Sequence, residues 1–178
     1  MKSPFSKFCL VLGLLALAVS ASAQQNLNFS DLPLVNSPAP MPTGYGQLTW
    51  GNFFYVNPYG WSEAGSGFKL GPQNEDVAFI GGEFCPLSGK ACYGTLTDAQ
   101  GFVALSAKVA GGYGPVSITA TAYKNGKFLG SVNYSVASQV TTLKFPASWG
   151  VITELSFQAS GQPGNFVLYS LSLYTLGG

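Results

Sequence analysis

The stretch that decides the fold is VSITATAYKNGKFLGSVNYSV, residues 116–136. Val116, Ile118, Ala120 and Ala122 alternate with Ser117, Thr119, Thr121 and Tyr123, which is the period-two pattern of a strand with one face buried. Asn125-Gly126 then supplies the two positive-φ positions of a type I′ turn, and Phe128 to Val136 is the return strand of the hairpin.

Outward from this hairpin the same grammar repeats. On the C-terminal side Thr141 to Phe145, Ile152 to Phe157 and Phe166 to Leu176 read as strands, separated by Pro146 to Gly150 and by Ser160 to Gly164. On the N-terminal side Val103, Leu105, Ala107 and Val109 form an apolar face from Gly101 onward, and Gly111 to Pro115 turns the chain into the hairpin. Earlier strand candidates are Leu27 to Leu32, Gln47 to Trp50, Phe53 to Val56, Phe68 to Leu70 and Val77 to Ile80. PLVNSPAPMP, residues 33–42, reads as an extended, unpaired surface crossing because its prolines remove backbone donors. Helical apolar spacing is lacking outside the first residues, while Thr, Val, Tyr and Phe enrich the runs. The expectation is an all-β domain of about nine or ten short strands, a two-sheet antiparallel β-sandwich of jelly-roll type, with a closed barrel as the alternative.

Residues 1–23 read as an export signal, with Lys2 and Lys7 before an apolar run and Ala21-Ser22-Ala23 as the cleavage site. The run is too short to span a bilayer and no other follows, so residues 24–178 are expected to form one secreted, monomeric domain without a membrane span. Beyond the signal six Lys face seven acids, with no Arg and no basic cluster, which argues against nucleic acid or an anionic membrane as partner. Cys85 and Cys92 are the two cysteines left after the signal, and in an oxidising compartment they are expected to form a disulfide. With no His in the chain and two thiols, zinc lacks its ligand set, and Ser-His-Asp or Cys-His catalysis is excluded.

None of the seven acids has a recognisable catalytic spacing, and no phosphate-cradling glycine motif implies a nucleotide cofactor. Glu75-Asp76 could ligate calcium from a loop, but such a pair is more often solvated surface charge, and no metal is expected there. Sequons stand at Asn28 and Asn133. What remains is the aromatic stretch PTGYGQLTWGNFFYVNPYGW, residues 42–61. Trp50, Phe53 and Phe54 are expected in the core. Tyr55, Asn57, Tyr59, Trp61 and Glu63 combine flat rings with an amide and a carboxylate, as sugar binding requires, and Tyr113 and Trp149 beside loop glycines could join them.

Phe29-Ser30-Asp31-Leu32-Pro33, the proline-rich crossing and Gly44 to Phe53 together resemble a loosely defined family of secreted fungal and bacterial β-sandwich proteins. Ile152 to Phe157 and the hairpin are similar as well. The resemblance implies a jelly-roll fold like that of carbohydrate-binding modules, in proteins that mostly lack an assigned activity. It also implies a structural calcium, but this chain has Ser30 in place of the first acid of the opening pair and Tyr169 in place of an acid near the end, leaving Asp31. The expected function is non-catalytic binding of a polysaccharide or cell-wall surface through loop aromatics. An extracellular protein partner, a structural surface role and an enzyme with an unfamiliar site are the alternatives.

Overall fold

The computed structural model describes residues 23–80, 92–161 and 165–176. Its strands are β1 Ala23–Leu27, β2 Ala39–Pro40, β3 Thr49–Gly51, β4 Phe53–Val56, β5 Val77–Ile80 and β6 Cys92–Gly111. They continue with β7 Val116–Lys124, β8 Lys127–Val136, β9 Thr141–Lys144, β10 Ile152–Gly161 and β11 Phe166–Thr175. All pairings are antiparallel, and the main path runs β2-β4-β5-β11-β6-β10-β7-β8, with β1 on β11 and both β3 and β9 on β6. Among the described residues the helical pieces are three short 3-10 turns, Tyr45–Gln47, Ser66–Leu70 and Ala147–Trp149. No helix among them is long and apolar enough to cross a membrane.

The hairpin forms as its sequence requires. Asn125 and Gly126 sit at φ 51° and 75°, and Lys124 pairs with Lys127 across them. In β7 the buried positions are Val116, Ile118, Ala120 and Ala122.

The organising element is β6, which begins at Cys92, nine residues before the regular pattern that starts at Gly101. Its first part, to Thr97, pairs with β10 and β3. After Gly101, at φ 94°, its second part pairs with β11 and β9, with Phe102 still opposite Ile152 of β10. One strand thus serves two groups of neighbours. The apolar phase also differs from the expected one: Phe102, Ala104, Ala107 and Val109 are buried while Val103 and Leu105 are half-buried. Ala104 pairs with Leu173 and Ser106 with Ser172, so Leu105 is an extra residue and the inward face shifts by one.

Three further expectations change, the first being that Phe68 to Leu70 lies in the 3-10 turn Ser66–Leu70 and not in a strand. β1 stops at Leu27 rather than Leu32, because Phe29 adopts φ 65° and the Leu32 N–H closes a turn onto the Phe29 carbonyl. The proline-rich crossing is not wholly unpaired either, since Ala39 and Pro40 lie opposite Tyr55 and Phe54 at a sheet edge, where a missing donor is tolerated.

The core is built from both groups of strands. Phe53 of β4, Phe157 of β10 and Phe166 of β11 meet at ring-centroid distances of 6.2, 6.4 and 5.6 Å. A second, smaller cluster, Val56, Phe68, Val77, Phe79 and Val167, lies on the other side of β4, β5 and β11. β5 is therefore buried on both faces, and the segment from Asn57 to Gly71 is what covers its outer one.

Candidate functional site

Asn57 to Gly71 is held down by backbone contacts and three tyrosine hydroxyls. The Asn57 N–H donates to the Val35 carbonyl at 2.8 Å, and its side-chain oxygen accepts the Tyr59 N–H at 3.0 Å, an Asx turn that sets the loop's direction. The Tyr59 hydroxyl lies 2.9 Å from the Lys69 carbonyl oxygen and 3.1 Å from that of Gly71. Tyr113 donates to the Glu63 carbonyl at 2.9 Å, and Tyr169 donates to the Gly67 carbonyl. Gly67 has no room for a side chain, because a Cβ there would lie 1.7 Å from the Gly111 carbonyl oxygen.

Under this frame Trp61 stacks on Phe79, with centroids 5.8 Å apart and planes at 23°, and meets Phe68 edge-on at 5.4 Å. Phe68 in turn touches Tyr113 at 5.5 Å. Tyr59 and Tyr113 keep 39% and 40% of their surface exposed. Burial pushes the Tyr113 phenol up, and the nearby Glu63 charge adds to the shift, so its hydroxyl stays a donor.

The structure therefore brings Asn57, Tyr59, Trp61, Glu63 and Tyr113 onto one loop-covered patch. It does not bring Tyr55 or Trp149 there. Tyr55, 7% exposed, points into the main core from β4. Trp149 does sit in a turn, as its glycine neighbour suggests, but its ring is 8% exposed and stacks on Phe145 at 6.0 Å. A buried ring has no face for a sugar, so these two serve the core. Phe54, by contrast with Phe53, faces the smaller cluster, at 6.1 Å from Phe79. Cys92 is buried at the start of β6, and Cys85 lies outside the described residues.

Of the calcium ligands implied by the resemblance the chain keeps Asp31, and Tyr169 stands where an acid would. The Asp31 carboxylate accepts the Tyr45 hydroxyl at 2.7 Å, and the Tyr169 hydroxyl is spent on Gly67. No three acids, cysteines or histidines among the described residues come together as a metal site. Asp76 is not solvated surface charge but 2% exposed, and with Glu75, Asn26, Asn28 and Lys108 it lines a cavity of about 250 Å³. The Lys108 ammonium in that lining opposes a cation.

A second feature was not singled out from the sequence. Strand register aligns Tyr93, Gln158, Thr119 and Asn133 in one row across β6, β10, β7 and β8, all on the side away from the core. The adjacent row is Thr95, Ser156, Thr121 and Ser131. The polar half of the period-two alternation was the signal, but rows across strands become visible only when pairing is known.

No known family profile matches the chain, and no curated protein does. Among solved structures it resembles TmCBM61 in complex with beta-1,4-galactotriose, at TM-score 0.36 and 11% identity over 72% of this chain and 85% of that one. It also resembles the Clostridium thermocellum N-terminal endo-1,4-beta-D-xylanase 10B CBM22-1-GH10 modules complexed with xylohexaose, at TM-score 0.39 and 11% identity over 89% of this chain and 28% of that one. The likeness to a DUF4465 family protein from Bacteroides caccae is stronger, TM-score 0.53 at 12% identity over 90% of this chain and 96% of that one, and it is a likeness of fold.

Proposed function

We propose that this chain is a secreted, non-catalytic domain that binds a neutral polysaccharide or cell-wall surface at the patch formed by Tyr59, Trp61 and Tyr113 with Asn57 and Glu63. The observation that carries the reading is the fixing of two part-exposed rings by their own hydroxyls, Tyr59 on Lys69 and Gly71, Tyr113 on Glu63. Rings held before a ligand arrives lose little freedom on binding, and their flat faces suit the apolar faces of pyranose units. Trp61 contributes less of its own surface, because Phe79 already stacks on it.

The wider reading includes a two-layer jelly-roll sandwich, removal of residues 1–23 on export and a Cys85–Cys92 disulfide. The shared aromatic core between the two strand groups supports the first. Non-reducing peptide mapping of secreted protein tests the other two. The mature N-terminus should fall at Gln24, and one peptide pair should be joined through Cys85 and Cys92.

A protein partner is the second reading, favoured by Leu70, which is 45% exposed beside the carbonyls that Tyr59 caps. Retention on insoluble polysaccharides and a glycan panel separates the two, using Tyr59→Ala and Tyr113→Ala alongside the parent. Loss of about 1 kcal/mol or more in each variant, with folding intact by circular dichroism, supports stacking. Failure of the parent to be retained on any glycan ends the polysaccharide reading and leaves the protein interface.

A further inference from the structure

We propose that the outward face of β3, β6, β10, β7 and β8 is a separate binding surface for an extended, uncharged polysaccharide laid across the strands. The surface is continuous: β3 adds Gly51 beside Thr95 and, in the next row, Thr49 beside Thr97, so the face extends over five strands while the two polar rows span four. Neighbouring strands lie about 4.8 Å apart, so each row offers a polar side chain at a step close to the length of one sugar ring.

Chemistry selects the ligand. In the two rows every side chain is a hydroxyl, an amide or a phenol. Thr119 donates to the Asn133 side-chain oxygen at 2.6 Å, and among the described residues the row side chains make no other hydrogen bond. Their donors and acceptors are turned outward in pairs that sugar hydroxyls, which both donate and accept, can satisfy. The chain is poor in charge throughout, at 8%, so neutrality alone distinguishes nothing. The distinguishing feature is the ordered array with an aromatic end. Tyr93, 50% exposed, closes the first row on β6 beside a depression of about 290 Å³ floored by Gly51 and Gly94. The next row, Thr97, Glu154, Tyr123 and Phe128, carries one carboxylate and ends on Phe128, 57% exposed, which meets Tyr123 edge-on at 6.1 Å.

A protein partner would want apolar anchors at the centre of the patch, and the centre here is Thr119, Thr121, Ser156 and Gln158. Nucleic acid or an acidic glycan would want cations, and the rows carry none. An uncharged polyol chain is the occupant that matches the two polar rows.

Affinity electrophoresis in gels containing mixed-linkage β-glucan, xylan, galactan or mannan, with polygalacturonate as the acidic contrast, tests this face apart from the loop patch. Tyr93→Ala removes the rim ring at an exposed position, and the double variant Thr121→Glu/Gln158→Glu charges the centre. Retardation by at least one neutral polysaccharide is expected, weakened about tenfold or more in both face variants; Tyr59→Ala, which alters the loop patch alone, is run beside them to tell the two surfaces apart. Polygalacturonate should retard none of them. Face variants that migrate like the parent in every gel overturn the proposal whatever Tyr59→Ala does, as does a parent that no neutral polysaccharide retards. Loss in Tyr59→Ala alone would leave the loop patch as the site and remove this one.

Discussion

Replacing Asp76 by Asn should make the protein's stability less dependent on pH, and the sign follows from where the carboxyl sits. Asp76 is 2% exposed, and neither of its oxygens accepts a hydrogen bond of normal geometry. Burial raises its pKa from 3.8 to about 6, while the backbone amide of Val35 pulls the other way without reaching hydrogen-bond geometry. The native state then holds a proton that the unfolded chain has already released. Stability falls as pH rises from 3.8 to about 6, and above that the penalty is complete.

A shift of about two units corresponds to about 3 kcal/mol at most. The cavity beside Asp76 admits solvent that screens the charge, so about 1–3 kcal/mol is the expected range. Urea unfolding of parent and Asp76→Asn at about pH 4 and about pH 7 isolates this group from the other acids, because they cancel in the difference. The variant should gain about 1–3 kcal/mol relative to the parent between the two pH values, or about 2–12 °C in Tm for a domain of this size. A difference that does not change with pH would refute the reasoning. A change of opposite sign would show that the carboxylate has a cationic partner in solution, with Lys108 across the cavity as the nearest candidate.

Phe68→Ala should cost about 3–5 kcal/mol and shift Trp61 fluorescence to the red, since Phe68 is fully buried and holds Trp61 edge-on; unchanged emission would mean the loop does not depend on it. Gly126→Ala should cost about 1–2 kcal/mol in thermal unfolding, because φ 75° is a conformation L side chains avoid, and a neutral result would show that the hairpin tip rearranges freely. Tyr59→Phe separates the two duties of that residue. It should lower stability by about 1 kcal/mol through the lost carbonyl bonds, yet keep any stacking interaction that Tyr59→Ala loses.

The parts of the fold legible in the sequence were those governed by neighbours in the chain. Alternation from Val116 to Ala122 is local, and so is the Asn125-Gly126 turn, so strands, hairpin and all-β class could be read directly. Position 105 could not be, because its extra residue in β6 is defined against β11 and by no residue next to it. The start of β6 was hidden for a related reason. Tyr93, Thr95 and Thr97 alternate with Cys92, Gly94 and Leu96, but two of those three inward positions are small, and a weak apolar signal needs β3 and β10 beside it to be recognised.

The same division explains the candidate sites. Composition identified loop aromatics from Asn57 to Glu63, but ring type says nothing of which side of a ring is covered. Trp149 and Tyr59 each precede a glycine in a turn, yet Trp149 has Phe145 against its face while Tyr59 has carbonyls at its hydroxyl and an open ring. An apolar neighbour buries a ring, whereas a polar partner at its tip anchors the edge and leaves the faces free. On that criterion Tyr59 is the ring on which the proposed site chiefly rests; Tyr113, 40% exposed but with Phe68 at 5.5 Å, offers less, and Trp61, stacked on Phe79, is chiefly a support for the loop.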